Sequence, residues 1–288
     1  MTDSVTKQLR IESARTRARK ISMDIIALVI CVIFLFPLLW ILITSIKPNV
    51  EVFSNQVYLW PKAPTLAPWI EQLTSSDFLR SLKNSFTIAV LNMVLATVLG
   101  VPAAYGLARY RVPFRRVILL MFLVTQMMPG SLLLTPLYLT FSKLKILNQV
   151  PTPVLAIATG SIPFIVVTMR PFFLSLPRSL DEAARIDGCN AFSAFVYIML
   201  PVARTGLITC LVFSFLHGWN DLVYSMTFNV KDTMRPLTAN IYKFLDKYGT
   251  RWNSIMAYGM ILVIPVLLLF VFLQRYIIGG LTSGAIKE

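Results

Sequence analysis

Charge is scarce in this chain: Asp, Glu, Lys and Arg make up 14% of its 288 residues, where a water-soluble domain carries about a quarter. Acidic residues are the scarcer kind, 13 against 27 Lys and Arg. Histidine occurs once, as His217, and cysteine three times, as Cys31, Cys189 and Cys210. One histidine cannot build a His-based metal site by itself. An odd cysteine count without a C-x-x-C pair gives neither a metal motif nor a disulfide framework. There is no G-x-x-x-x-G-K-[ST] phosphate loop, so the chain is not expected to hydrolyse ATP, and no H-E-x-x-H helix or Asp/His pair points to an intramembrane protease. No stripe alternates basic and aromatic residues, so the +14 net charge does not read as a nucleic-acid surface. Internal repeats and lipidation motifs are also missing.

What is abundant is apolar surface. Hydrophobic residues are 56% of the chain and mean hydropathy is +0.70, more than one water-soluble core can hide. The composition is that of a polytopic membrane protein. Six spanning helices are expected at about 23–46, 84–108, 117–142, 151–174, 204–228 and 256–277, each long enough for a ~30 Å hydrocarbon core. The N-terminus, 1–22, is basic. The apolar run after it, from Met23 to Ile46, exceeds the 7–15 residues of a signal-peptide core and suits a span rather than a cleaved leader.

Orientation follows from the basic residues. With the N-terminus inside, 16 Lys and Arg fall on inner segments and 11 on outer ones. The inner loop 109–116, with Arg109, Arg111, Arg115 and Arg116, is the strongest indicator and reads as a topology signal. Both termini are then cytoplasmic.

The third span contains Gln126, Pro129-Gly130-Ser131 and Pro136, and the fourth Pro153, Pro163 and Pro171. Proline removes a backbone donor, and freed groups at membrane depth must face protein or a water-lined cavity. Bent helices bounding a pathway and kinks satisfied by neighbouring helices are both open. Residues 47–83 are rich in proline and tryptophan. The outer loop 229–255 carries Tyr242, Phe244, Tyr248 and Trp252 and is long enough to project, or to form a short interfacial helix.

The inner segment 175–203 is the most informative. Ser179 followed by Glu182 has capping-box spacing. Asp181 and Glu182 would sit at the positive end of a helix dipole. Gly188 stands where a left-handed C-terminal cap wants glycine. A helix from Leu180 to Asp187 is expected, then a second from about Ala191 to Leu200, stopped by Pro201. Ala183 and Ala184 would keep one surface low enough for another backbone to approach. The segment reads as a short capped hairpin suited to a partner's groove.

Glu182-Ala-Ala-Arg-Ile-Asp-Gly188 followed by Ile198-Met-Leu-Pro201 resembles the EAA signature of ABC-importer permeases, with its spacing kept. The wider chain is similar to the carbohydrate-uptake, MalG-like branch. Trp219-Asn220-Asp221 resembles its W-N-D/E element, Ser45-Ile-Lys47-Pro48 the end of its first helix, and Gln274-Arg275 through Lys287 its C-terminus. Two departures stand out: Glu288 replaces the usual terminal glycine, and the stretch around Ala67-Pro68-Trp69 lacks the T-x-x-N-Y pattern.

The resemblance implies an all-α membrane protein with six transmembrane helices, the ABC type I importer permease fold with a cytoplasmic EAA hairpin. It implies a non-enzymatic half-transporter in a bacterial or archaeal inner membrane. Its partners would be a second homologous permease, two ATP-binding subunits and an extracytoplasmic solute-binding protein, with the lipid bilayer around it. ATP and Mg would be held by the partner ATPase, and this chain would bind no cofactor or metal. Ser179, Asp181, Glu182, Ala183, Ala184, Asp187 and Gly188 would couple to the ATPase. Gly284, Ala285 and Lys287 would contact it from the tail, and Tyr242, Tyr248 and Trp252 would meet the binding protein. The solute would be a di- or oligosaccharide. The outer segments carry 11 basic residues against five acidic ones, a surplus that suits an acidic saccharide, an acidic binding protein or plain solvated charge.

Other polar residues allow two readings each. Gln126, Asn220 and Asp221 are pathway candidates, and Asp221 with Asn220 equally reads as a helix cap. Gln126 and Asn92 read as sugar contacts or bonds between helices, and His217 as a buried histidine with its hydrogen bonds satisfied or as a proton relay. The rival class, a self-sufficient secondary transporter or channel, predicts an inverted repeat or ionisable groups at mid-membrane, and the sequence has neither.

Overall fold

The computed structural model describes residues 2–54, 56, 58–246 and 249–282. It falls into two compact units, residues 1–72 with 244–260 and residues 73–243 with 261–288.

The first unit contains α1 (Thr2–Ser45), whose apolar part, Arg19–Ser45, buries none of its most hydrophobic stretch. A helix that is apolar all round and unburied belongs against lipid or a partner chain. Its end is pinned by polar contacts. Ser45 donates to Leu42 O and accepts from Trp69 Nε1 at 3.0 Å. Lys47, only 5% exposed, donates to Tyr58 O and lies 4.7 Å over the Trp40 ring. Trp69 sits on α2 (Ala67–Thr74). Arg251 pairs with Glu71 at 3.0 Å.

The second unit contains α3 (Ser76–Arg109), α4 (Arg115–Met127), α5 (Leu134–Lys143), α6 (Pro151–Ser175), the short α7 (Ser179–Ile186), α8 (Ala191–Val202), α9 (Arg204–Trp219) and the short α10 (Val223–Phe228). The last helix, α11 (Trp252–Thr282), contributes to both units. Among the described residues the only strand pairing is a two-residue bridge, Leu245–Asp246 with Gly249–Thr250.

Four helices are long and apolar enough to cross a membrane, and two bent pairs bring the number to six. The third span is one of the bent pairs. α4 and the Gly130–Lys143 stretch meet at 99°, because Met128 is extended and Pro129 has no amide hydrogen to continue the ladder. The carbonyl of Gly130 in this break is satisfied by Tyr224 OH at 3.1 Å. Pro163 and Pro171, in contrast, lie inside an unbroken α6. The fifth helix also departs from its expected course. It stops at Trp219 rather than 228, because Asn220 and Asp221 end it and Asp221 starts α10.

The packing centre is α3 against α6 and α9. Gly218 on α9 meets the α3 backbone so closely that a Cβ there would lie 2.7 Å from Ala89 Cα. Small residues permit such approaches where apolar burial does not distinguish helix from lipid. Asn92, fully buried, donates to Ser161 Oγ at 3.1 Å and to Ser214 O at 2.7 Å. Its role in the fold is the bond between helices.

Candidate functional site

The hairpin α7–α8 is built differently from its sequence expectation at one end and as expected at the other. Ser179 is the first helical residue rather than the cap. Arg178 already has helical dihedrals and makes no side-chain cap, and its carbonyl accepts from Asp181 N and Glu182 N at 3.0 and 3.2 Å. No capping box forms, since the Pro177 turn starts the helix one residue early. At the other end Gly188 has φ +82°. Cys189 N donates to Ala184 O at 2.9 Å and Gly188 N to Arg185 O at 3.1 Å, the Schellman pattern that needs a left-handed residue. Asn190 Oδ1 then caps α8 through Phe192 N and Ser193 N.

Pro201 does not stop α8, which runs to Val202 through a π turn over Phe195–Met199. A wider turn is one place where a residue lacking an amide hydrogen is tolerated. The bend comes at Ala203, where α8 and α9 meet at 86°.

The hairpin is bolted to the membrane helices. Tyr105 OH, on α3, donates to Asp181 Oδ1 at 2.9 Å, and Arg109 Nε lies 3.2 Å from Asp181 Oδ2. The Arg109 side chain is only 7% exposed, and it also donates to Leu176 O at 2.9 Å. The Tyr105 ring packs edge-on against Phe173 at 5.3 Å and tilted against Phe195 at 5.0 Å, so α3, α6 and α8 share one core with Met199 and Cys210. Arg109 is thus more than the topology signal suggested by its place in an arginine-rich loop. Asp181 turns inward to it. The two alanines part company as well: Ala184 is buried in the hairpin's base, while Ala183 faces out with Glu182 and Asp187. Ile186, Phe192 and Tyr197 are more than 70% exposed on this hairpin, an apolar face with charge beside it.

The second feature is a cavity of about 690 Å³ bounded by α4, α6, α9 and the start of α10. It gathers Gln126, Asn220 and Asp221, the three pathway candidates, with Thr159, His217 and Tyr224 and the aromatic faces of Phe164 and Phe213. Asp221 is at the same time a cap: its carboxylate accepts from Tyr224 N at 3.3 Å, Ser225 N at 2.8 Å and Ser225 Oγ at 2.7 Å. The two readings of Asp221 are therefore compatible. The lining thus combines hydrogen-bonding side chains with aromatic rings. No Lys or Arg lines the cavity among the described residues.

The loop after α10 is folded down over its first half. Asn84 donates to Thr233 O and Arg235 O at 2.9 and 3.2 Å, and Leu237 N to Ser85 Oγ at 2.8 Å. Tyr242 is nonetheless 47% exposed, and Trp252, on the first turn of α11, is 41% exposed. Tyr248, Gly284, Ala285 and Lys287 lie outside the described residues. Sequence reasoning missed Tyr105 and Ser161, and underread Arg109. Nothing local pairs position 105 or 109 with 181, since the link exists only once α3 and α7 have packed.

A family model described as "Binding-protein-dependent transport system inner membrane component" matches residues 96–282. The chain is 32% identical to the sulfoquinovosyl glycerol transport system permease protein SmoH of Agrobacterium fabrum, over 88% of this chain and 89% of that one. It is 29% identical to the diacetylchitobiose uptake system permease protein DasC of Streptomyces coelicolor, over 92% and 96%. A bacterial ABC transporter involved in the import of the acidic polysaccharide alginate contains a chain that superposes with TM-score 0.78 at 22% identity, covering 90% of this chain and 96% of that one. The six-span reading, the hairpin between the fourth and fifth spans and the EAA spacing are those of an ABC importer permease, and the chain belongs to the family of binding-protein-dependent transport system inner membrane components.

Proposed function

We propose that this chain is one of the two pore-forming subunits of a bacterial or archaeal importer for a di- or oligosaccharide, with both termini in the cytoplasm. A second, homologous permease supplies the other half of the pathway. Two ATP-binding subunits hold ATP and Mg, and an extracytoplasmic binding protein delivers the solute. The hairpin seats the exposed Ile186, Phe192 and Tyr197, with Glu182, Ala183 and Asp187, in the ATPase groove. The tail residues Gly284, Ala285 and Lys287 add contacts there, and Tyr242, Tyr248 and Trp252 meet the binding protein.

The observation that carries this reading is the continuity between the two features. Asp181 on the hairpin is tied to Tyr105 and Arg109, and the core that Tyr105 enters includes α6 and α9, helices that wall the cavity. A push on the hairpin therefore reaches the cavity through packed, hydrogen-bonded elements. The names of the relatives support a saccharide. Arg80, Arg235 and Arg251 are in ion pairs and Lys47 is buried, so the outer basic surplus rests on the remaining lysines and does not by itself choose between an acidic and a neutral saccharide.

The test is purification of the tagged chain from its native membrane with identification of whatever accompanies it. A P-loop ATPase and a second permease are expected, and the assembled complex should hydrolyse ATP faster with one of a panel of saccharides and the binding protein. A chain that emerges alone, folded and at full yield refutes the proposal and revives a self-sufficient transporter.

A further inference from the structure

We infer that His217 contacts the solute in the cavity, and that a relay from Asn92 through Ser161 locks its imidazole with the proton on Nε2, so that a hydrogen-bond donor faces the pathway. The solute contact rests on the transport reading above; the lock does not.

The direction of the relay follows from donor and acceptor chemistry. The oxygen of Ser214 is a backbone carbonyl and can only accept, so the atom of Asn92 at 2.7 Å from it is the amide nitrogen. The same nitrogen lies 3.1 Å from Ser161 Oγ. Its two hydrogens are then both committed, one to Ser214 O and one to Ser161 Oγ. Ser161 accepts from Asn92 and has its own hydroxyl proton left to give. The neighbour in reach is His217 Nδ1, at 3.3 Å. A neutral imidazole that accepts at Nδ1 carries its hydrogen on Nε2.

The surroundings fix where that hydrogen points. Asn92, Ser161 and Ser214 are all completely buried, so the relay reaches His217 from the protein side. The His217 ring is itself exposed, along the cavity wall, and Phe164 holds it edge to face at 5.5 Å. Among the described residues Nε2 has no partner. Three other polar groups around the cavity are engaged within the protein: Asp221 caps α10, Tyr224 OH donates to Gly130 O, and Thr159 donates to Ala156 O. Asn92 and Ser161 thus do more than join helices. They are positioning residues that leave His217 a directed donor for a sugar hydroxyl or ring oxygen.

Because the chain contains a single histidine, the lock can be read directly. The full chain, purified with a tag that contains no histidine, is labelled with 15N-histidine and placed in lipid nanodiscs at pH 8, where an imidazole of ordinary pKa is neutral. Long-range 1H–15N correlation spectra should show one tautomer, protonated at Nε2. Ser161→Ala should turn it into an averaged mixture, and Ser161→Thr, which keeps the hydroxyl, should restore the lock. A wild-type imidazole protonated at Nδ1, or averaged, overturns the lock and the inference with it.

The contact is tested in the assembled transporter at saturating loaded binding protein, with the saccharide that most stimulates its ATP hydrolysis. His217→Phe should slow uptake on the order of threefold to tenfold, the worth of one neutral hydrogen bond, and His217→Gln, which keeps an N–H donor, should recover most of it. Unchanged uptake in His217→Phe overturns the contact. A locked imidazole in a transporter that no saccharide stimulates contradicts the importer reading, and the contact fails with it.

Discussion

Asp181→Asn is the most direct perturbation of the link between hairpin and membrane helices. The substitution keeps an oxygen for Tyr105 OH but removes the charge opposite Arg109. At 3.2 Å the gross attraction is about 5 kcal/mol for an effective dielectric of about 20. Desolvation offsets part of it, and a fully exposed pair would be worth only about 0.2–1 kcal/mol. Here the side chains are 7% and 19% exposed, so removal leaves a nearly buried guanidinium with only Leu176 O as a close acceptor. We expect a loss of about 2–3 kcal/mol, short of the ~3–5 kcal/mol for breaking a fully buried pair. At ~2–4 °C per kcal/mol for a chain of this size, the purified complex should melt about 4–12 °C lower by intrinsic fluorescence. Fewer solute molecules should also be moved per ATP hydrolysed, because the hairpin can shift without carrying α3. Asp181→Glu should recover part of both. An unchanged melting temperature together with an unchanged transport-to-hydrolysis ratio would refute the idea that this tie carries load.

Substitutions at three further sites separate geometry from chemistry. Gly188 has φ +82° with no atom within 4 Å of a built Cβ, so Gly188→Ala should cost about 1–2 kcal/mol from backbone conformation alone. Gly188→Asn should cost less, and Gly188→Asp should in addition weaken co-purification of the ATPase, where unchanged solute-stimulated hydrolysis would count against a docking role. Gly218→Ala sets a methyl 2.7 Å from the Ala89 backbone, which no rotamer change relieves. A loss of about 1–3 kcal/mol should appear as reduced yield and thermal stability, with Gly106→Ala, which meets nothing within 4 Å, as the neutral control. Asp221→Ala removes the cap of α10 and should cost about 1–2 kcal/mol; Asp221→Asn should keep most of the stability, and equal stability of all three forms would contradict the capping geometry.

The sequence made some of this visible and hid the rest for identifiable reasons. Gly188 was legible because a left-handed C-cap is a local demand that few other residues meet. The EAA spacing and the apolar runs were legible because each is a pattern within one segment. The start of α7 was misread because capping-box spacing describes what side chains can do, whereas Pro177 and Arg178 had already begun the turn. The end of α9 was misread because hydropathy continues past Trp219 while Asp221 offers its carboxylate to the next amides. Arg109 and Ser161 acquire their roles from partners 72 and 56 residues away, and neither a loop rich in arginine nor a serine in a helix announces such a partner.

The distribution of polar contacts along α3 gives these ties a common logic. In hydrocarbon, burial of apolar side chains does little to hold one helix to another, and close packing and hydrogen bonds decide which surfaces stay together. α3 has such fixings at three levels. Near one end Tyr105 and Arg109 hold the hairpin; midway Asn92 holds α6 and α9; near the other end Asn84 and Ser85 hold the loop at 233–237. From Ser85 to Tyr105 is about 30 Å at 1.5 Å per residue, roughly the thickness of the hydrocarbon core. The helix between them contains Pro102 but no break. A rigid element tied at both ends and at its middle cannot move at the hairpin without moving the cavity wall and the far loop. The buried polar residues of α3 are therefore explained less by stability than by the need to keep three levels of the membrane in register.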